Sequence, residues 1–274
     1  IIAAVGGKAK RINVIMPFLY ESRQHKRSSR ESLDCALALQ ELTHMGVDNI
    51  ITFDAHDPRV QNAIPLSGFE TVRPTYQFVK GLLDRYDDLI IDSDHMMAIS
   101  PDEGATERAV YLANVLNLDM GMFYKRRDYT RVVNGRNPIV AHEFLGSSVE
   151  GKDVIILDDM ISSGDSILDV AKQLKSRNAK RIFAAATFGL FTNGLDKFDE
   201  AYESGLIDGV LTTNLIYQTP ELLSRPYYIN CDMSKYVALM IDTLNHDGSI
   251  SDILDPSERI QVCVEEYKKA HGQL

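Results

Sequence analysis

The chain has 274 residues, of which 45% are apolar, and a formal net charge of −10 at neutral pH. This length and composition suit one large domain or two ordinary domains with packed cores. The acidic balance argues against broad binding to nucleic acid or to an anionic membrane, and no apolar run reaches the length of a transmembrane helix. Scattered cysteines and the lack of a basic-then-apolar secretory signal predict a reduced, cytoplasmic protein. Because the sequence begins with isoleucine, we expect further sequence upstream.

Short apolar runs alternate with segments of helical periodicity along the chain. The runs predict buried parallel strands at 12–17, 49–54, 96–100, 120–124, 154–157, 182–187 and 209–214. Apolar residues recur at helical spacing after the first, third and fifth runs and again at 256–270. The predicted fold class is therefore α/β, with two similar domains, each a parallel sheet flanked by helices. We place the first domain at 1–72, with 249–274 packing back on it, and the second at 73–248.

Polar segments follow the predicted strands. They lie at 20–27, 54–57, 100–108, 125–127 and 158–166. In open α/β sheets the ligand binds beyond the carboxyl ends of the strands. We therefore expect these segments to form the functional site.

The last of these segments, D-D-M-I-S-S-G-D-S at 158–166, connects an apolar strand to a helix. Backbone N–H groups and hydroxyls at a helix N-terminus bind phosphate, whereas paired carboxylates bind vicinal hydroxyls or a hydrated cation. A sugar phosphate satisfies both requirements. The alternative is an Asp-Ser-Gly turn that only caps the helix, and the acid pair, Asp158 and Asp159, favours the sugar phosphate.

The segment 125–136 concentrates basic residues in an otherwise acidic protein. A basic run is usually a solvated face, but this one follows a predicted buried strand. Asn134, Gly135 and Asn137 suggest a mobile flap that excludes water from the site.

These motifs resemble one known family. The segment 158–166 resembles the phosphoribosyl-diphosphate (PRPP) loop of the type I phosphoribosyltransferase fold. Further segments, in the family's order, resemble ribose-phosphate diphosphokinases, also called PRPP synthetases: P-F-L-Y-E-S-R-Q, T-F-D-A-H, S-P-D-E-G-A-T-E-R-A and Y-K-R-R. The resemblance implies that both domains are phosphoribosyltransferase-like. It also implies transfer of the diphosphoryl group of ATP to the C1 hydroxyl of ribose 5-phosphate, which gives PRPP and AMP for nucleotide biosynthesis.

The resemblance implies roles for residues on four segments. Lys125 and Arg127 match the family's catalytic pair. Arg23 and Gln24 match its ATP contacts. His56 and Asp102 match ligands of Mg²⁺ on the ATP phosphates. The alternatives are a histidine that caps a helix or lies at the edge of the core and an aspartate in an ordinary Pro-Asp turn, and the position of both residues after a strand favours the site.

The resemblance assigns the ribose 5-phosphate to the loop. Asp158 and Asp159 would face the ribose hydroxyls, and the 5-phosphate would contact Ser162, Ser163, Gly164, Asp165 and Ser166. Relatives carry glycine or another residue where Asp165 stands, and a carboxylate beside a phosphate repels it. We therefore expect the Asp165 side chain to point outward.

Two other functions remain open at this point. One is a phosphoribosyltransferase that consumes PRPP, and the other is a non-catalytic regulatory subunit of a PRPP synthetase. The family also implies a symmetric homo-oligomer built from dimers, up to a hexamer. The family's adenine-contacting N-terminal motif has no counterpart in this sequence.

Overall fold

The structure is a computed structural model that describes residues 1–27, 29–127 and 139–273, with the backbone alone described for 125–127 and 139–142. The chain divides into two compact units, Ile1–Pro74 and Thr75–Leu274. Within the described residues, no helix combines the length and the hydropathy needed to span a membrane.

The first unit contains a parallel sheet of β1 (Asn13–Met16), β2 (Asn49–Phe53) and β3 (Gly68–Val72), in the order β1-β2-β3. Its helices are α1 (Ile2–Gly6), α2 (Asp34–His44) and a 3₁₀ helix (Pro58–Ala63). In α2, Cys35 and Leu39 recur at helical spacing and are fully buried in the core of this unit. The helix ends before Gly46, whose φ of +92° suits a glycine.

The second unit is built on a larger sheet with the order β10-β9-β8-β7-β4-β5-β6. Its strands are β4 (Met96–Ser100), β5 (Asp119–Arg127), β6 (Ile139–Leu145), β7 (Asp153–Ile161), β8 (Ile182–Gly189), β9 (Gly209–Thr213) and β10 (Tyr228–Cys231). The described strand pairs are parallel except β5 with β6, which is antiparallel. The larger sheet is therefore parallel, as expected, apart from one antiparallel strand, β6, at its edge.

Helices cover both faces of this sheet. They are α3 (Thr75–Arg85), α4 (Thr106–Leu116), α5 (Asp165–Lys175), α6 (Asp196–Glu203), α7 (Pro220–Leu223), α8 (Ser234–Asn245), α9 (Ser251–Leu254) and α10 (Ser257–Ala270). Along β7, Val154 and Ile156 join the core on the side of α5 and α6. Ile155 and Leu157 join the core on the side of α3, α4 and α10. Burial on both faces explains why this strand is continuously apolar.

The final helix, α10, belongs to the second unit. Its residues Ile260, Val264 and Tyr267 pack in the core shared with α3 and α4. The Tyr267 hydroxyl donates to the carbonyl of Tyr86 at 2.8 Å and accepts from the amide of Leu89 at 2.9 Å. This arrangement differs from the expectation that 249–274 packs on the first domain. The amphipathic pattern predicts a buried face but does not say which sheet covers it.

Candidate active site

The connection from β7 to α5 requires a glycine at position 164. Gly164 has a φ of +84°, which side-chain-bearing residues rarely adopt. A Cβ atom at this position would lie 2.3 Å from Cε2 of Phe198. Both the backbone conformation and the packing on α6 therefore exclude other residues here. As a result, α5 begins at Asp165, close to the end of the buried strand.

The segment that follows β8 supports this loop. The amide of Thr192 donates to the carbonyl of Ser162 at 3.0 Å, and the amide of Leu190 donates to the carbonyl of Ile161 at 2.8 Å. Phe191 packs edge-on against Phe198 with their ring centroids 5.2 Å apart. Backbone hydrogen bonds and packed aromatic rings therefore stabilise the loop between β7 and α5. The Asp165 amide donates to the Ser163 hydroxyl at 3.4 Å. The first turn of a helix is a site at which backbone N–H groups can bind an anion.

Two adjacent carboxyl groups lie near the carboxyl end of β7. Asp159 is 3% exposed, and its amide donates to Oδ1 of Asp158 at 2.8 Å. Burial, followed by the negative charge of Asp159, raises the pKa of Asp158 well above its usual range, and Asp102 adds a smaller effect in the same direction. A cation or a set of hydroxyl donors would relieve this concentration of negative charge.

Asp102 lies in the turn before α4 and binds the backbone of that turn. Its Oδ1 accepts from the amides of Gly104 at 2.9 Å and Ala105 at 3.3 Å, while its carbonyl accepts from the Ser100 hydroxyl at 2.6 Å. The Pro-Asp turn considered from the sequence is therefore present. Because these amides bind Oδ1, the second oxygen, Oδ2, can still coordinate a cation.

Asp165 forms an ion pair across the loop. Its Oδ1 lies 2.5 Å from Nζ of Lys197, and its Oδ2 accepts from the Ser163 hydroxyl at 3.0 Å. Both side chains of the ion pair are about half exposed. Ser166 lies in the first turn of the same helix. The structure therefore brings the serines, Gly164 and Asp165 together in one short loop.

The expected ATP contacts lie in the loop after β1. Arg23 is exposed, and the Gln24 side chain donates from Nε2 to the carbonyl of Ser32 at 3.0 Å. This bond ties the loop to the residues before α2. It uses the amide nitrogen of Gln24, so that Oε1 can still accept a hydrogen bond from a nucleotide.

His56 lies in the same unit and contacts a second histidine, His25, with ring centroids 5.3 Å apart. His25 Nε2 lies 3.4 Å from Oδ2 of Asp57, and the His25 side chain is only 10% exposed. Hydrogen bonds from Arg59 lower the pKa of Asp57 to about 2, so this carboxylate stays ionised. Sequence reasoning missed this contact between the loop after β1 and the segment after β2.

Lys125 and Arg127 lie at the end of β5, where the backbone of Lys125 pairs with His142 of β6. Their side chains lie outside the described part of the chain. The expected flap with Asn134, Gly135 and Asn137 also lies outside the described residues.

Comparison with known families decides the relationship. Residues 72–214 match the phosphoribosyl transferase domain, and residues 1–46 match the N-terminal domain of ribose phosphate pyrophosphokinase. A ribose-phosphate pyrophosphokinase of Shewanella oneidensis is 30% identical over 247 residues, which are 89% of this chain and 73% of that protein. The chain belongs to the ribose-phosphate pyrophosphokinase family. Pyrophosphokinase is another name for diphosphokinase, so the family predicted from the motifs is confirmed.

Other relatives define the extent of the match. A ribose-phosphate pyrophosphokinase of Mycoplasma genitalium is 32% identical over 214 residues, covering 77% of this chain and 60% of that protein. The chain thus spans three fifths of the length of this relative. The phosphoribosylpyrophosphate synthetase structure from Mycobacterium smegmatis has a TM-score of 0.75 at 24% identity and covers 90% of this chain and 76% of its own. This likeness confirms the predicted α/β fold class.

The family resemblance implies Mg²⁺. Among the side chains that the structure describes, no group of three or more His, Cys, Asp or Glu residues forms a metal site. Mg²⁺ is commonly held by one or two protein ligands together with substrate phosphates. A carboxylate such as Asp102, with one oxygen available, fits that mode of binding.

The residues that support the loop had no clear signal in the sequence. Gly164 indicated a tight turn, but nothing identified Phe198 as the side chain packed against it or Thr192 as the donor to Ser162. Thr192 lies on the connection between β8 and α6, and Phe198 lies in the first turn of α6. Their roles follow from the pairing of β7 with β8, because this pairing brings the segment after β8 beside the loop between β7 and α5.

Proposed function

We propose that the protein is an active ribose-phosphate diphosphokinase, which transfers the diphosphoryl group of ATP to the C1 hydroxyl of ribose 5-phosphate and releases AMP. The observation that carries this proposal is the end of β7, where an acid pair, Asp159 buried and Asp158 half-buried, is followed after a short turn by the N-terminus of α5. One feature suits ribose hydroxyls and the other suits a phosphate. Membership of the family supports the same assignment.

Ribose 5-phosphate would bind along this loop. Its hydroxyls would donate to Asp158 and Asp159, where burial and the charge of Asp159 raise the pKa of Asp158. Its phosphate would accept hydrogen bonds from the first turn of α5 and from the hydroxyls of Ser162, Ser163 and Ser166. Rigid support from the β8–α6 connection would fix the sugar before reaction, which reduces the entropy lost in the transition state.

The chemical step needs little covalent participation by the protein. The anomeric oxygen of the sugar attacks the β-phosphorus of ATP, the bond to the α-phosphate oxygen breaks, and AMP leaves with the electron pair of that bond. Lys125 and Arg127 would neutralise charge on the group in transfer. Arg23 would pair with an ATP phosphate, and Gln24 would contact the nucleotide through its side-chain carbonyl.

His56 and Asp102 are the residues that we propose to hold Mg²⁺, which neutralises phosphate charge when it is bound. Asp102 contributes an oxygen from the turn before α4 and also adds to the negative potential around Asp158. This contribution supports a cation near the acid pair. His56 would supply a nitrogen ligand from the segment after β2.

Two broader features complete the proposal. The family resemblance supports a symmetric homo-oligomer built from dimers, up to a hexamer. Free cysteines at 35, 231 and 263 support a reducing compartment, for which we propose the cytoplasm.

Phosphorus NMR tests the function directly. The purified protein is mixed with ribose 5-phosphate, Mg²⁺ and ATP, and the formation of AMP together with PRPP is expected. Asp158→Asn should abolish this turnover or raise the KM for ribose 5-phosphate. The matched control is Asp169→Asn, because Asp169 is exposed on α5 and pairs with Lys172. Its turnover should remain unchanged.

The other outcomes separate the competing functions. Binding of ribose 5-phosphate without formation of AMP would contradict the proposal and favour a regulatory subunit. Consumption of added PRPP with a purine or pyrimidine base would instead favour a phosphoribosyltransferase.

A further inference from the structure

The loop proposed to bind phosphate carries a negative charge of its own. Asp165 is the first residue of α5, in the turn whose N–H groups would bind the 5-phosphate. A hydrogen bond with Lys197, followed by one with Ser163, lowers the pKa of Asp165. The carboxyl group is therefore ionised at neutral pH and cannot avoid a phosphate dianion by taking up a proton.

Lys197 is placed to offset this charge. Its ammonium group lies 2.5 Å from Oδ1 of Asp165. It directly precedes Phe198, whose ring packs against Gly164 in the same loop. The packing of one α6 residue thus fixes the position of its neighbour relative to the loop. The ammonium group and the carboxylate meet at the edge of a groove of about 350 Å³ between α5 and α6.

We propose that Lys197 is a positioning residue for the sugar phosphate. It holds the Asp165 carboxylate on the α6 side of the loop and cancels its charge, so that the first turn of α5 accepts a dianionic phosphate. This inference rests on the proposed function, since it assumes that the loop binds ribose 5-phosphate.

The proposal predicts opposite effects for the two partners. Lys197→Met leaves the Asp165 carboxylate uncompensated and should weaken the binding of ribose 5-phosphate by about fivefold, as expected for one unit charge a few ångströms from a phosphate in water. Asp165→Asn leaves the ammonium group free to attract the phosphate and should tighten binding by a similar factor. The double variant should return close to the affinity of the unchanged protein.

Isothermal titration calorimetry with ribose 5-phosphate, without ATP, measures these affinities. Lys197→Arg should retain most of the affinity because it keeps the charge. The matched control is Lys80→Met, which removes a comparably exposed lysine that pairs with Asp84 on α3. This variant should bind ribose 5-phosphate as the unchanged protein does. Raising the salt concentration should shrink the difference between the single variants, because their effects are electrostatic.

A purely structural ion pair gives a different pattern. Both single variants would then weaken binding, or neither would, and either result overturns the proposal. If the variants bind ribose 5-phosphate as the unchanged protein does, only this inference fails. If the unchanged protein binds neither ribose 5-phosphate nor inorganic phosphate, the proposed function fails as well.

Discussion

The two ends of β7 carry carboxyl groups in opposite environments. At the start of the strand, Asp153 is 3% exposed in its side chain and accepts from Arg181 through both oxygens, at 2.9 and 2.7 Å. Near the end of the strand, Asp158 faces a second acid, Asp159. Hydrogen bonding to Asp153 raises the pKa of Arg181, whereas burial and the charge of Asp159 raise the pKa of Asp158.

The difference separates a structural carboxylate from a candidate binding group. A buried carboxylate with a bidentate cation has its charge balanced inside the folded protein. Ionisation of a carboxyl group is unfavourable when it is removed from water beside another acid. A bound cation or a hydroxyl donor from a ligand would stabilise the ionised form. The amino end of β7 therefore contributes to stability, and its carboxyl end contributes to the proposed site. The following predictions, ordered by their expected effect on the free energy of unfolding, test this division.

Removal of the cation at the amino end should have the largest effect. Arg181→Met leaves the Asp153 carboxylate buried without its bidentate partner, and we expect the free energy of unfolding to fall by about 3–5 kcal/mol. Urea unfolding at neutral pH measures this change. The affinity of the remaining folded protein for ribose 5-phosphate should be unchanged.

The double variant Asp153→Asn/Arg181→Met is the control for this prediction. It removes the unpaired charge and should recover part of the lost stability. A single variant as stable as the unchanged protein would contradict the assignment of a structural role to the amino end.

The second effect concerns the turn at the carboxyl end. Gly164→Ala combines a positive φ with a Cβ atom 2.3 Å from the Phe198 ring. We expect a loss of about 3 kcal/mol, because strained backbone and overpacking both contribute. Displacement of the loop should also abolish the binding of ribose 5-phosphate, which calorimetry can measure.

Gly194→Ala provides the matched control. Gly194 has a similar φ of +77°, but its Cβ would have no neighbour within 4 Å. This substitution should lower the free energy of unfolding by only about 1 kcal/mol, because the backbone conformation alone is unfavourable for alanine. Equal losses for the two variants would show that contact with Phe198 does not define the loop.

The third prediction has the opposite sign. Asp158→Asn removes a carboxyl group whose pKa is raised by folding, and we expect stability at neutral pH to increase by about 1 kcal/mol while turnover is lost. For a group whose pKa is higher in the folded protein, the folded state binds more protons. Stability therefore decreases as the pH rises from the ordinary aspartate pKa of about 4 towards the raised value.

Thermal unfolding between pH 4 and pH 8 tests this sign. The unchanged protein should lose stability with rising pH through the contribution of this group, and Asp158→Asn should lack that contribution. Destabilisation by Asp158→Asn at neutral pH would mean that the acid pair is a structural element like Asp153.

The sequence predicted the interior of the larger sheet better than its edges. The apolar runs located β4, β7, β8 and β9, whose described residues are almost all buried. The strands that were missed, β3, β6 and β10, each lie at the edge of a sheet. An edge strand is partly exposed or short, so it does not show the continuous apolar run that indicates a buried parallel strand.

The same distinction applies to the site. Asp158, Asp159 and Gly164 are adjacent in the chain, so the loop that they form could be predicted from one short segment. Lys197 lies close to this loop, and Arg181 lies close to the start of β7, only because β8 pairs with β7. Which side chains become neighbours across two strands depends on the strand order, and the local pattern of apolar residues does not predict that order. The packing of α10 was mispredicted for the same reason.

The smallest effect on the free energy of unfolding is expected for an exposed ion pair. Its closest distance is similar to that of the buried pair between Arg181 and Asp153. Lys80 Nζ lies 2.6 Å from Oδ2 of Asp84 on the surface of α3, with side chains 50% and 62% exposed. Lys80→Met should change the free energy of unfolding by about 0.5 kcal/mol or less, because water already solvates both charges. Urea unfolding in low and high salt should show the small difference disappearing as salt screens the pair.

Comparison with Arg181→Met then contrasts an exposed pair with a buried one at nearly the same closest distance, and Arg181 also bonds to the exposed Asp88 at 2.7 Å. If Lys80→Met destabilised the protein as much as Arg181→Met, proximity of the charges alone would explain both losses. Burial of Asp153 would then have no special importance, and the contrast between the two ends of β7 would have to rest on the acid pair alone.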